Sequence, residues 1–109
     1  MLKAYEITFK DGYDFKTATV KGYNLIGALC KLTNYVYENV VSVKEISFER
    51  YHALKIAFAI READTWNDCE EECVELCRMA GMLTEWREAG GDTFESVLIE
   101  AAKKLNVEI

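Results

Sequence analysis

The sequence predicts an α+β fold, in which an antiparallel β-β-α-β-β sheet unit is followed by two to three C-terminal helices packed on one face. Two observations support this class. Apolar and polar residues alternate through much of the first half, whereas the second half repeats its apolar residues with a helical period. The 109 residues contain no internal repeat and suffice for one core, so we expect a single domain over 1–109. Its halves are a sheet-rich 1–61 and an acidic helical 62–109.

A β-hairpin is predicted at the start of the chain. Large apolar residues alternate with polar ones over 3–9, and Asp11-Gly12 then forms a turn signal, because glycine can take the positive φ that the turn requires. A second strand is expected over 13–21. Its apolar residues change from odd-numbered to even-numbered positions between Phe15 and Ala18. Such a change indicates a β-bulge within that strand.

A helix is predicted after the hairpin. Asn24 is a candidate N-cap, and leucines then repeat at helical spacing, which favours one helix over 25–37. Gly27 lies inside it and is expected to mark close packing against the sheet. Cys30 lies one position from the leucine stripe and is expected in the core.

Two further strands are predicted before the acidic half. The β-branched segment 41–49 alternates in two short pieces, and 50–52 is expected to turn the chain. Residues 53–60 also alternate, with alanine at every second position, and we interpret them as a fourth strand. Because alanine is the strongest helix former, helix is the competing interpretation there.

The most strongly patterned segment is Trp66–Gly81, with the sequence WNDCEEECVELCRMAG. Its apolar residues and cysteines fall on one stripe of a 3.6-residue helix, and its carboxylates fall on the opposite face. Thr65 and Asp68 have the spacing of a capping box, and Gly81 suits the C′ position. The segment therefore predicts one unbroken amphipathic helix that buries its thiols and exposes its acids.

The last third of the chain predicts two more helices. A short helix is expected over 84–89. A longer helix is expected to begin at Asp92, because Asp92 and Glu95 have the spacing of a capping box. Asn106 can end that helix in the left-handed conformation. The residues after it, through Ile109, are expected to dock on the core.

Charge is distributed very unevenly between the halves. Residues 1–61 hold nine Lys or Arg and six Asp or Glu, a net +3, whereas residues 62–109 hold four against thirteen, a net −9. A surface of this kind could dock in a basic groove that normally holds DNA or RNA, or it could serve only to keep the helices soluble. The predicted partner-binding residues are Asp64, Asp68, Glu71, Glu72, Glu75, Glu85 and Glu88.

The cysteines are interpreted as core thiols, and no metal or other cofactor is expected. Cys69 and Cys77 are eight helical residues apart, a rise of about 12 Å. Two sulfurs on one zinc ion lie at most ~4.6 Å apart, so an unbroken helix cannot bring both to one ion. Cys73 and Cys77 together with Cys30 remain the alternative metal set.

Catalysis is not expected from this sequence. His52 is the single histidine, and it lies in a predicted turn with no nucleophile adjacent in sequence. GYNLIG does not match a glycine-rich phosphate loop, and 64–72 lacks the central glycine of a calcium loop. We therefore interpret the chain as a non-enzymatic binding protein.

Two alternatives to protein binding stay open. The first is a small single-stranded nucleic-acid-binding domain, because the two N-terminal strands interleave lysines with aromatic residues that could stack bases, although the acidic chain opposes attraction to a polyanion. The second is a structural or regulatory homo-oligomer in which the positive half of one copy faces the negative half of another. The residues of the first alternative are Lys3, Lys10, Lys16, Lys21, Tyr5, Phe9, Tyr13 and Phe15.

Location follows from the same patterns. No run of about 18 apolar residues is present and the charged, alternating N-terminus is unlike a signal peptide, so we expect no membrane span. Four cysteines without an export signal favour a reducing, cytoplasmic location.

The strand VVSVKEISF, the Asp-Gly hairpin and the tail AGGDTFESVLIEAAKKLNVEI resemble segments of many small proteins of phages and mobile elements. Within that population, a short acidic single-domain chain is similar in character to anti-CRISPR proteins, especially inhibitors of type II effector nucleases. The resemblance implies an inhibitor that binds a protein partner with a basic surface, such as a CRISPR effector nuclease. It includes no motif that carries a functional residue to a position in this chain.

Overall fold

The computed structural model describes the backbone of residues 1–109 and every side chain except that of Asp92. The fold is α+β, as the sequence predicts, with an antiparallel sheet and several helices. The chain divides into two compact units, unit 1 over Met1–Tyr51 and unit 2 over His52–Ile109. Each unit has its own cluster of buried apolar residues.

Unit 1 contains a three-stranded antiparallel sheet. Its strands are β1 Lys3–Asp11, β2 Asp14–Gly22 and β3 Val40–Ile46, in the order β2-β1-β3. The predicted hairpin is confirmed, because β1 and β2 are joined through Gly12 at φ +66°, a value that glycine adopts without steric cost. The central strand β1 carries the buried side chains, and β2 is an edge strand.

The predicted bulge in the second strand is wrong. Pairing between β1 and β2 runs without interruption from Lys3 opposite Gly22 to Asp11 opposite Asp14. The register shift lies instead between Thr8 and Phe9, opposite β3. The parity change in β2 reflects its place at the sheet edge, where an apolar side chain need not face a core.

The predicted helix over 25–37 is interrupted. It consists of α1 Leu25–Leu29 and α2 Asn34–Glu38. Asn24 caps α1 as predicted, since its side chain accepts a hydrogen bond from the Gly27 amide at 2.8 Å. The hydroxyl of Thr33 accepts from the Val36 amide at 3.3 Å and starts the second helix.

Cys30 is exposed and not in the core as predicted, because α1 ends at Leu29 and Cys30 is only its C-cap residue. The buried cluster of unit 1 consists of Tyr5, Ile7 and Ala28. Half-buried apolar residues pack around them from α1, the following loop and the neighbouring strands; these are Val20, Leu29, Leu32, Val40 and Val43.

The glycine that permits close packing is Gly22, not Gly27. A Cβ at Gly22 would lie 2.7 Å from the backbone nitrogen of Ala28, whereas a Cβ at Gly27 would meet only the Asn24 side chain at 3.3 Å. We expect Gly22→Ala to lower the unfolding free energy by about 1–3 kcal/mol, measured by urea denaturation. Gly90→Ala is the matched control, since no atom lies within 4 Å of its Cβ position. Equal stability of the two variants would contradict the close approach.

The predicted fourth strand over 53–60 is wrong, because these residues lie within α3 Phe48–Glu62. The Ser47 hydroxyl accepts from the Arg50 amide at 3.0 Å and begins the helix where the sequence predicted the end of a strand and a turn. The buried residues of α3 are Ala53, Ile56, Ala57 and Ile60. Their spacing is helical, and the alanines complete a stripe that the alternation of larger residues concealed.

Unit 2 continues with short helices. The chain forms a 3-10 helix Trp66–Cys69, α4 Glu70–Met79, α5 Leu83–Glu88, a 3-10 helix Gly91–Thr93 and α6 Phe94–Leu105. The prediction of one unbroken α-helix over 66–81 is therefore corrected. Cys69 has φ −127° and ψ +22°, outside the helical region, and the Thr65 side chain makes no capping bond among the described contacts.

The predicted ends of α4 and α6 are confirmed. Gly81 has φ +72°, its amide donates to Arg78, and the Met82 amide donates to the Cys77 carbonyl at 2.8 Å, which is a Schellman motif. Asn106 ends α6 in the left-handed region at φ +54°. The predicted box-like role of the Asp92 side chain lies outside the described residues.

The core of unit 2 brings α3, α4 and α6 together. Val107 and Ile109 pack against it, as predicted for the tail. No described helix has the length and hydropathy of a membrane span. The buried members of this core are Ile56, Ile60, Cys69, Cys73, Leu76, Cys77, Met82, Leu98, Ala101 and Ala102.

Candidate acidic binding surface

The thiols of unit 2 fix the inner face of α4. Cys69, Cys73 and Cys77 are at most 2% exposed, and Leu76 is fully buried between them. The sulfurs of Cys69 and Cys73 are 3.7 Å apart, far beyond the ~2.05 Å of a disulfide, so both are free thiols. The prediction that these three cysteines belong to the core is confirmed.

Burial also decides the protonation of these thiols. It raises the pKa of Cys73 to about 12, with smaller contributions from the hydrogen bond to Cys69 and from nearby charges. Burial likewise raises the pKa of Cys77, and the negative charge of Glu85 adds to that rise. Both groups are therefore neutral near pH 7, which suits an apolar core and disfavours nucleophilic chemistry.

The carboxylates predicted for partner binding lie on the outer side of the same elements. We call these seven residues the acidic surface: Asp64, Asp68, Glu71, Glu72, Glu75, Glu85 and Glu88. Five are exposed, and the other two, Glu72 and Glu75, are half-buried. They extend from the end of α3 through the 3-10 helix and α4 to α5. Glu71, Glu72 and Glu75 belong to α4, whose thiol face packs in the core, so the core sets the position of these three acids.

Glu75 differs from the rest of this surface because it is paired within unit 2. Its carboxylate accepts bidentate hydrogen bonds from the Arg78 guanidinium, with Nε 2.9 Å from Oε2. The imidazole Nε2 of His52 is 3.5 Å from Oε1 of the same carboxylate. The hydrogen bond from Arg78 is the main cause that holds the pKa of Glu75 below its usual value. Glu75 therefore presents less negative potential to a partner than the exposed acids do.

Three aromatic residues beside this surface are not among the predicted site residues. Phe94 lies perpendicular to Trp66 and to Trp86, with ring centroids 5.1 and 6.0 Å away. One feature of the sequence could have indicated this cluster: the chain's two tryptophans lie on either side of the cysteine-rich segment 69–77.

The aromatic residues considered for base stacking are divided by the sheet. Tyr5 and Phe9 are buried, whereas Tyr13 is fully exposed and Phe15 is 65% exposed. Lys16 forms an ion pair with Asp11 at 2.6 Å. The eight residues do not form one stacking face, since two of the four rings are used in packing.

The metal set considered from the sequence gains no support from the local geometry. Within the described side chains, no group of three or more His, Cys, Asp or Glu is arranged to hold a metal ion. Cys30 lies in unit 1 and is exposed, whereas Cys73 and Cys77 are buried in unit 2.

Comparison of the chain with protein-family models, with curated proteins and with solved structures gives no match in any of the three. The function is therefore inferred from the residues of the chain and their arrangement.

Proposed function

We propose that this chain is a non-enzymatic, cytoplasmic inhibitor that binds a protein partner by placing its acidic surface on a basic, nucleic-acid-binding groove. The supporting observation is the separation of the two faces of α4, with buried neutral thiols inside and exposed or half-buried carboxylates outside. Unit 2 holds thirteen Asp or Glu against six Lys or Arg, a net −7. A CRISPR effector nuclease has a groove of the required charge, and the resemblance to anti-CRISPR proteins favours that partner.

Charge complementarity explains how such a surface would work. A groove that holds nucleic acid presents fixed Lys and Arg side chains, which attract a rigid array of carboxylates as they attract phosphates. The acidic surface has a fixed shape because α4 is anchored by its core face. It therefore competes with nucleic acid without the cost of ordering a flexible segment.

The buried aromatic residues favour protein binding over direct nucleic-acid binding. Tyr5 and Phe9 cannot stack bases from within the core of unit 1, and attraction to phosphate is opposed by the net charge of −6. The alternative function is a homo-oligomer joined by opposite charges. Light scattering at two salt concentrations tests it, because such an oligomer should dissociate at the higher salt concentration.

The first test reverses charge on the exposed part of the acidic surface. We expect Asp68→Lys, Glu71→Lys and Glu88→Lys together to slow association with a guide-loaded type II effector nuclease at least tenfold at low salt. The physical reason is the loss of long-range attraction, which acts mainly on the association rate. Biolayer interferometry with immobilised nuclease measures both rates, and circular dichroism confirms the fold.

The matched control carries the same change of net charge on other exposed acids. Glu38→Lys, Glu95→Lys and Glu100→Lys together should leave the association rate within about twofold of the wild type. Equal slowing by both triple variants would show that net charge, and not this surface, governs binding. If the wild-type protein does not bind the nuclease, the nuclease is excluded as its partner.

A further inference from the structure

Three aromatic side chains of unit 2, from three different elements, line a small open cavity. Trp66 comes from the 3-10 helix Trp66–Cys69, Trp86 from α5 and Phe94 from the first position of α6. The Phe94 ring stands at 90° to both indoles, in an edge-to-face arrangement with each. The cavity measures about 180 Å³, and Asn67, Glu70 and Cys73 complete its lining. We call these six residues the aromatic cage.

The size of the cavity restricts what it can hold. Pockets for drug-sized ligands and cofactors measure about 300–1,000 Å³, so a nucleotide or a flavin is too large for this one. A group of a few heavy atoms fits, while the rest of a ligand would extend into solvent past Trp66, which is 43% exposed.

The lining also selects the charge of the occupant. The face of an aromatic ring carries negative potential and attracts cations, most strongly when the ring is an indole. The acidic residue Glu70 belongs to the same lining, and no Lys, Arg or His is present among the described lining residues. An anion is therefore disfavoured, and a cation gains from both the rings and the carboxylate.

The kind of cation follows from the scarcity of oxygen and sulfur ligands. A divalent metal needs several donors, whereas the lining offers one carboxylate and one amide besides Cys73, a neutral thiol because burial raises its pKa to about 12. A primary ammonium is strongly hydrated and brings three donors that aromatic walls cannot satisfy. A quaternary ammonium has no N–H donor and presents methyl groups that pack on rings.

We propose that the aromatic cage binds the trimethylammonium head of a small molecule, with the methyl groups against Trp66, Trp86 and Phe94 and with Glu70 as the counter-charge. None of the six residues of the aromatic cage is one of the seven residues of the acidic surface.

The structure supplies a direct optical probe. The chain has two tryptophans and both line the cage, so the whole tryptophan emission of the protein reports on this cavity. We expect choline chloride to cause a saturable change in that emission, beyond the effect of sodium chloride at equal concentration. The neutral carbon isostere 3,3-dimethyl-1-butanol has the same shape without the charge and should bind at least tenfold more weakly.

Two substitutions on α4 test the role of the carboxylate. Glu70→Gln should weaken choline binding at least tenfold, because it removes the counter-charge while keeping the shape of the side chain. Glu71→Gln makes the same change of net charge at the next residue, outside the cage lining, and should keep wild-type affinity. Both positions are exposed, so both variants are expected to fold.

The proposal would be overturned by the absence of a saturable response to choline, by equal binding of the neutral isostere, or by equal weakening by the two glutamine variants. A trimethyllysine peptide that binds where choline does not would also overturn it, because the ligand would then be a modified protein.

Discussion

Leu76→Ala is expected to lower the unfolding free energy by about 2–5 kcal/mol, because truncation of a fully buried leucine loses its transfer free energy and leaves a cavity. Leu76 lies at the centre of the face of α4 that packs against α6. Native proteins of this size are stable by about 5–15 kcal/mol, so the loss is a large part of the total. Urea denaturation followed by tryptophan emission measures it, since Trp66 and Trp86 both lie in unit 2.

Ile99→Ala is the control for this loss. Ile99 belongs to α6 but is 43% exposed, so its truncation should cost less than about 1 kcal/mol. The urea dependence of the free energy should be unchanged in both variants, because it follows the surface exposed on unfolding. A similar loss for the two substitutions would mean that Leu76 is not in a packed core.

Local signals in the sequence were sufficient where one short-range interaction decides the structure. The Asp11-Gly12 turn, the Asn24 cap, and the helix ends at Gly81 and Asn106 were all predicted and observed. Each depends on one residue with a special conformation or side-chain acceptor, and such residues act within a few positions of the chain.

Prediction failed where two periodicities fit the same residues. In 53–60 the larger apolar residues alternate as in a strand, while Ala53 and Ala57 complete a helical stripe with Ile56 and Ile60. Alanine is apolar enough for either pattern, so only its high helix propensity and the Ser47 cap favour the observed helix. The break between α1 and α2 has the same character, since the leucine stripe continues across the Thr33 cap.

The candidate sites differ in how far the sequence could predict them. Which face of α4 is acidic follows from helical spacing alone, but the pairing of Glu75 with Arg78 and His52 depends on side-chain geometry and on α3 being a helix. The aromatic cage joins residues from three separate elements. No pattern within one element could have predicted that Trp66, Trp86 and Phe94 would meet.

Cys30 is expected to react with a thiol reagent at least a thousandfold faster than the other three cysteines. At pH 8, Ellman's reagent should modify Cys30 at once and the other three only as unit 2 opens, because Cys30 is exposed and the others are at most 2% exposed. Opening a core costs several kcal/mol, which corresponds to about 10³ or more in rate. The raised pKa values of Cys73 and Cys77 further reduce the reactive thiolate.

This protection should weaken at high pH. An unfolded thiol releases its proton near its ordinary pKa of about 8.5, whereas folded Cys73 keeps its proton up to about pH 12. The folded state therefore binds more protons between about pH 9 and 12, and its stability falls as the pH rises through that window.

The Cys30→Ser variant is the control for the fast reaction: it should abolish the fast phase and leave three slow thiols. Two or more fast thiols in the wild type would contradict the burial of Cys69, Cys73 and Cys77, and with it the anchoring of the acidic surface.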